Sequence, residues 1–259
     1  MFISDFVPTP ERQKQILALL TRQGRLSVNE IVEQFSISVA TARRDLESLA
    51  AQGKVERVHG GVIAIEQAPP ESPILERESE QADEKARIGL SAANLIADKE
   101  TVFLGSGTTV LEVARQLRNR KNLTVITNSL PVLNALAGAE GITVICLGGM
   151  LRDSEMSFIG HITEQALTEV RADKVIMGTR GLSLEHGLTN DYLQETLTDR
   201  AILKVGREVI IVADHTKVNR VATALLAPLD SMQVFVTDTK ADKKFLQALK
   251  KQGIDVIVA

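Results

Sequence analysis

A chain of 259 residues, 44% hydrophobic and 24% charged, has the composition of a folded protein with room for two unequal domains, the larger with a core of its own. No apolar run approaches the roughly 20 residues needed to span a bilayer, and Met1-Phe2-Ile3-Ser4-Asp5 lacks the basic start and cleavage site of a signal peptide, so no membrane partner and a cytoplasmic home are expected. The net charge of −3 argues against a general binder of phosphate polymers, and the single Cys146, set in an apolar run, excludes an internal disulfide.

After a loose arm, Thr9-Pro10 opens a helix, with Thr9 as cap and Pro10 at the first helical position. Ile16, Leu17 and Leu20 give it an apolar face that ends at Gly24. Ser27-Val28-Asn29-Glu30 has the spacing of a capping box, and Val28, Ile31, Val32 and Phe35 then recur at i, i+3, i+4 and i+7, so a second helix runs to Ser36. In a third helix, steps of 100° put Val39, Ala42, Leu46 and Leu49 on one side; Thr41, Arg44 and Ser48 fall on the other and Arg43 on a flank. Gly53 supplies a C-terminal stop. Lys54 to Val58 and Val62 to Ile65 read as two short strands around the turn His59-Gly60-Gly61. Three helices and a hairpin make a winged helix-turn-helix.

Charged residues on a helix face are ordinarily only solvated, but adjacent arginines one turn into the second helix of a helix-turn-helix stand where side chains reach base edges in the major groove. Arg44 is the expected base reader, because a guanidinium matches guanine O6 and N7, with Thr41 or Ser38 beside it and Ser48 on the same face. Arg43, Lys54 and Arg57 are expected on phosphates, and the wing tip at His59 and Gly60 near the backbone or minor groove. Residues 1 to 64 hold 8 basic and 7 acidic side chains. So weakly basic a module depends on placed arginines and a second copy, so a homo-oligomer, dimer or tetramer, is expected.

Three prolines in Ala68-Pro69-Pro70-Glu71-Ser72-Pro73 exclude helix or central strand and set a linker at 67–74, between a DNA-binding domain at 1–66 and a second domain at 75–259. Leu75 to Ala97 reads as one helix docking on the second domain and a candidate for carrying a signal. Apolar strands follow at Thr101 to Leu104, Leu123 to Ile126, Ile142 to Leu147, Lys174 to Met177, Val209 to Ala213, Gln233 to Thr237 and Asp255 to Val258, mostly separated by helices. The pattern predicts an open, mainly parallel α/β sheet covered on both faces, with ligands beyond the strands' carboxyl ends. Those ends are rich in glycine, hydroxyls and cations: Gly105-Ser106-Gly107-Thr108-Thr109, Thr127-Asn128-Ser129, Gly148-Gly149, Gly178-Thr179-Arg180-Gly181 and Asp214-His215-Thr216-Lys217. Backbone N–H groups at a helix start and flanking hydroxyls suit a phosphate. Gly105-Ser106-Gly107 lacks the third glycine of a dinucleotide fingerprint and the Gly-Lys pair of a nucleotide-triphosphate loop, so a small phosphorylated metabolite is expected and no cofactor.

Ser38-Val39-Ala40-Thr41-Ala42-Arg43-Arg44-Asp45-Leu46, with Leu49, Gly53 and Val58-His59-Gly60-Gly61, resembles the signature of the DeoR family of bacterial transcriptional regulators, and the resemblance covers nearly the whole chain. It implies a repressor of a carbohydrate-metabolism operon, acting on double-stranded operator DNA, whose second domain is similar to ribose-5-phosphate isomerase and senses a phosphorylated sugar. It also implies an effector site of Ser106, Gly107, Thr108 and Thr109 as phosphate cradle, Asn128 and Ser129 as sugar or phosphate contacts, and Gly149, Thr179, Arg180, Thr189, Glu195 and Lys217 as further lining. Relatives often keep an acid where Arg180 stands, which points to a more anionic ligand here.

The alternative is an isomerase-like enzyme with an attached DNA-binding domain, for which Asp191, Glu195 or Asp214 could supply a base. The isomerases' paired active-site aspartates are missing: the chain reads Met177-Gly178-Thr179-Arg180. Asp191 also fits a helix cap and Glu195 a surface pair. His59, His161, His186 and His215 are too scattered for a metal site, and no nucleophile elbow occurs.

Overall fold

The computed structural model describes residues 9–23, 25–51, 55–58, 60–64 and 72–259, in two compact units that divide after Glu66. The N-terminal unit runs α1 (Thr9–Gln23), β1 (Arg25–Ser27), α2 (Val28–Phe35), α3 (Val39–Ala51), β2 (Val55–Val58) and β3 (Gly61–Ala64). The capping box forms as its spacing predicts: the Glu30 N–H donates to Ser27 Oγ at 3.2 Å, and the Ser27 N–H to Glu30 Oε2 at 2.6 Å. Helix α2 stops at Ser36, whose positive φ of 50° turns its N–H back onto the Val32 carbonyl. Ile16, Leu20, Leu26, Ile31, Ala42, Leu46, Leu49, Val55 and Val62 fill the core. Full burial of each larger aliphatic is worth about 1.5–3 kcal/mol. Val39 departs from the expected stripe: it lies in the first turn of α3 and is 44% exposed.

Strand β1 has no counterpart in the sequence reading, because three residues are too few for a period-2 signal. It pairs antiparallel with β3 in a sheet ordered β1-β3-β2. Gly61 makes that pairing possible: a Cβ there would lie 2.2 Å from the Leu26 carbonyl oxygen.

The C-terminal unit runs α4 (Ile74–Arg77), α5 (Ala82–Ala93), β4 (Thr101–Leu104), α6 (Thr108–Leu117), β5 (Leu123–Thr127), α7 (Leu130–Leu136) and β6 (Ile142–Cys146), then the hairpin β7 (Met150–Arg152) and β8 (Ser157–Ile159). It continues with α8 (His161–Thr168), β9 (Ala172–Met177), β10 (Gly181–Ser183), β11 (Gly187–Asn190), α9 (Leu193–Leu203), β12 (Gly206–Val212), β13 (Ala224–Ala227), β14 (Val234–Thr237), α10 (Lys243–Lys251) and β15 (Asp255–Val258). The single helix expected over Leu75 to Ala97 is instead α4 and α5, broken where Gln81 adopts φ 49°.

Seven strands form one parallel sheet in the order β15-β14-β12-β9-β4-β5-β6. Alternate side chains enter two cores. Val102, Leu104, Ile176 and Ile210 pack with Ile88, Val113 and Val132 of α5 to α7, while Phe103, Val175, Met177 and Ile211 pack with Leu167, Ile202 and Phe245 of α8 to α10. Both faces are therefore covered, which explains the near-continuous apolar strands. The chain steps from β4 outward to β5 and β6, then returns to the other side of β4 with β9, so the switch point lies between β4 and β9.

Candidate DNA-reading and effector sites

On α3, Arg43 and Arg44 are exposed, whereas the next residue, Asp45, is buried. Ser38 caps this helix, its Oγ accepting the Thr41 N–H at 3.1 Å and lying 2.9 Å from Thr41 Oγ1, so the two hydroxyls expected beside Arg44 are in contact. Ser48 is half-buried. Arg57 of β2 is exposed and pairs with Glu47 of α3 at 3.2 Å, and Gly60 turns the wing tip with φ 83°. Lys54 and His59 lie outside the described residues.

In the C-terminal unit a cavity of about 530 Å3 opens at the switch point, within the range of small-molecule sites. Three strand ends line it: Ser106 and Gly107 beyond β4, Gly178, Thr179 and Arg180 beyond β9, and Asp214, Thr216 and Lys217 beyond β12. Thr108, Thr109 and Val110, the first turn of α6, complete one end. Gly107 takes φ 113° at the N-cap and α6 has no side-chain cap, so the first N–H groups of the helix face the cavity without the oxygen that Ser129 supplies to α7 or Asp242 to α10.

Two lysines line the cavity as well. Lys85 of α5 is 5% exposed and donates to the Arg77 carbonyl oxygen at 2.7 Å; burial lowers the pKa of its ammonium against the pull of Asp214. Lys217 is lowered for the same first cause. Its turn is held by Asp214, whose carboxylate accepts the Thr216 N–H at 2.9 Å.

Elsewhere the lining is ionic. Glu155, in the turn between β7 and β8 and 2% exposed, accepts from Arg77 Nη2 at 2.7 Å on each oxygen and pairs with Arg180 Nη2 at 2.6 Å. Burial pushes its carboxyl up to about 7, against the opposing pull of Arg77. Arg180 also faces Asp191 at 3.4 Å. Glu195 of α9 pairs with Arg152 and accepts from Ser157 Oγ at 3.2 Å. Asp199, one turn on, accepts from Asn190 Nδ2 at 2.7 Å and is raised well above the usual carboxylate range, first by burial and then by Glu195.

Of the expected effector residues, the structure gathers Ser106, Gly107, Thr108, Thr109, Thr179, Arg180, Glu195 and Lys217 around this cavity and leaves Asn128, Ser129, Gly149 and Thr189 outside its lining. The reason is topological. Strands β5 and β6 lie on the far side of β4 from the switch point, and the residues after them serve the fold. Asn128 donates to the Phe158 carbonyl at 2.9 Å, Ser129 caps α7, and Gly149 packs where a Cβ would meet Thr163 Oγ1 at 2.1 Å. Thr189 Oγ1 donates to the Gly181 carbonyl at 3.1 Å and accepts the Ala222 N–H. The expectation that Arg180 favours a more anionic ligand also changes, since Glu155 and Asp191 already face it. Arg77, Lys85, Glu155, Asn190, Asp199 and Arg220 were missed. They come from segments with no phosphate motif; a charge at Lys85, in line with the apolar Ile88 and Ala92, is the kind of signal that could have found one of them.

A winged helix-turn-helix with adjacent exposed arginines, joined in one chain to an α/β unit with a polar, charged cavity at its switch point, defines a DNA-binding regulator with a sensor domain. Residues 12–68 match the DeoR-like helix-turn-helix domain and residues 80–239 the DeoR C terminal sensor domain. The chain belongs to the DeoR family of transcriptional regulators. It is 36% identical to the transcriptional repressor AccR of Agrobacterium fabrum over 236 residues, covering 90% of this chain and 91% of that one. It is 34% identical to the glycerol-3-phosphate regulon repressor of Escherichia coli (95% and 97% covered) and 32% to the regulator IolR of Bacillus subtilis (96% and 98%). Among solved structures, ribose 5-phosphate isomerase A of Methanocaldococcus jannaschii is similar at 18% identity and a TM-score of 0.41, over 54% of this chain and 55% of that one. A likeness of that size bears on neither ligand nor activity.

Proposed function

We propose that this regulator is a cytoplasmic repressor of carbohydrate-metabolism genes that binds its operator as a dimer or tetramer and is released by a phosphorylated sugar. The carrying observation is the uncapped first turn of α6, set with Lys85 and Lys217 around one cavity. A dianionic phosphate there gains the helix dipole, backbone donors and two partly desolvated ammonium groups. Arg44 reads a base, and Arg43 and Arg57 hold phosphates. The E. coli relative's name ties it to a phosphorylated polyol, which supports a ligand of this class. That no described helix is long and apolar enough to cross a membrane agrees with a cytoplasmic home.

Turnover is not part of this function. Asp191 faces Arg180, Glu195 is held by Arg152 and Ser157, and Asp214 caps its own turn, so each candidate base already has a structural partner. The test is a thermal-shift screen of the full chain and of Lys217→Ala against sugar and polyol phosphates. A ligand at 100 times its dissociation constant stabilises by about 2.7 kcal/mol. At least one is expected to do so, and Lys217→Ala to lose the shift; no shift with any phosphate, or equal shifts in both proteins, would reject the site.

A further inference from the structure

The two ends of the cavity differ electrostatically. At the α6 end the donors include the first N–H groups of α6, which have no side-chain cap, and the Lys85 ammonium, which donates to the Arg77 carbonyl oxygen and feels the pull of Asp214. At the other end the lining arginines already meet carboxylates: Arg77 and Arg180 share Glu155, while Glu195, paired with Arg152 from outside the lining, and Asp199 a turn away add two more acids. Over the whole lining, five basic side chains balance five acidic ones. Both oxygens of Glu155 are occupied, and it is 2% exposed.

We propose that Glu155 is a specificity residue that limits the pocket to ligands with one anionic group, a monophosphate whose far end is uncharged. This rests on the reading that the α6 end takes the phosphate. A second phosphate or a carboxylate at the far end would either lie beside Glu155, Glu195 and Asp199 or draw Arg77 and Arg180 off Glu155. The first course sets like charges together in a desolvated site, and the second strands a buried carboxylate without its partners. Hydroxyl groups face no such conflict, because carboxylates and the Asn190 amide can hydrogen-bond them.

Calorimetric titration of the full chain at pH 8 tests this with matched pairs: glycerol 3-phosphate and 3-phosphoglycerate, fructose 6-phosphate and fructose 1,6-bisphosphate, glucose 6-phosphate and 6-phosphogluconate. In any pair that binds, the monoanionic-group member is expected to be favoured by at least about tenfold, the scale set by leaving a buried charge unpaired. Glu155→Gln removes the carboxylate that Arg77 and Arg180 share, leaving Arg180 with Asp191, and should lower that ratio by about tenfold or invert it. Glu155→Gln with Arg180→Gln, which removes one charge of each sign, should restore discrimination. Equal affinity within a pair for the wild-type chain, or a ratio unmoved by Glu155→Gln, would overturn the proposal while leaving the phosphate site standing. Binding of no member of any pair would remove both.

Discussion

Arg12 of α1 and Asp45 of α3 form a buried ion pair, with Nε 2.6 Å from Oδ2 and Nη2 3.2 Å from Oδ1, directly beside the exposed Arg44. Asp45 faces in on the side of α3 that also buries Ala42, Leu46 and Leu49, and its neighbour Arg44 faces out. Asp45→Ala leaves a buried guanidinium short of its carboxylate and should cost about 3–5 kcal/mol, read as a lower denaturant midpoint. Arg12→Met with Asp45→Leu should recover most of that loss. A double variant no more stable than Asp45→Ala would mean that the pair's value is not electrostatic.

Arg44→Ala should cost about 1–3 kcal/mol on the operator and relax specificity at one base position, whereas Arg43→Ala should weaken all sequences alike and reduce the salt slope by about 1. Competition binding against single-base operator variants at several salt concentrations separates the two. A uniform loss for Arg44→Ala would make it a phosphate contact.

Lys85→Met keeps much of the side chain's volume and removes its charge. Ligand affinity should fall by about 1.5–3 kcal/mol, the worth of a hydrogen bond to a charged group, measured by titration with whichever phosphate stabilises the wild-type chain. Unaltered affinity would place the phosphate elsewhere.

Glu155 gives the protein a specific pH signature. Its carboxyl is raised from an ordinary 4.5 to about 7 on folding, so between those values the folded chain holds the proton more tightly than the unfolded one. The stability this contributes is full below about pH 4.5 and is lost as pH rises through about 7, on the order of 3 kcal/mol in all. Glu155→Gln cannot titrate. The stability of wild type relative to Glu155→Gln should therefore fall between pH 5 and pH 8 in denaturant melts, and parallel curves would contradict the shift.

The sequence was most legible where the information is local. The Ser27 to Glu30 spacing specifies a capping box within one turn, and the apolar runs at Thr101 to Leu104 and Asp255 to Val258 mark strands whose bounds the structure repeats. Glycine and hydroxyl signals after strands were harder to read, because they look alike at Ser106, which lines the cavity, and at Ser129, which caps a helix. Only the strand order separates them, and strand order is a long-range property. The ionic end was illegible for the same reason: Arg77 and Glu155 are 78 residues apart. The break at Gln81 was hidden by helix formers on both sides, since tertiary contacts of Arg77 and Lys85 outweigh local propensity there.

Ligand and operator are expected to compete through one protein, and the most direct measurement is the ligand's affinity with and without saturating operator duplex. Coupling of about 1–3 kcal/mol is expected, so operator should weaken ligand binding roughly 5- to 150-fold, and the ligand should weaken operator binding by the same factor. Equal ligand affinity in the presence and absence of operator would contradict the account.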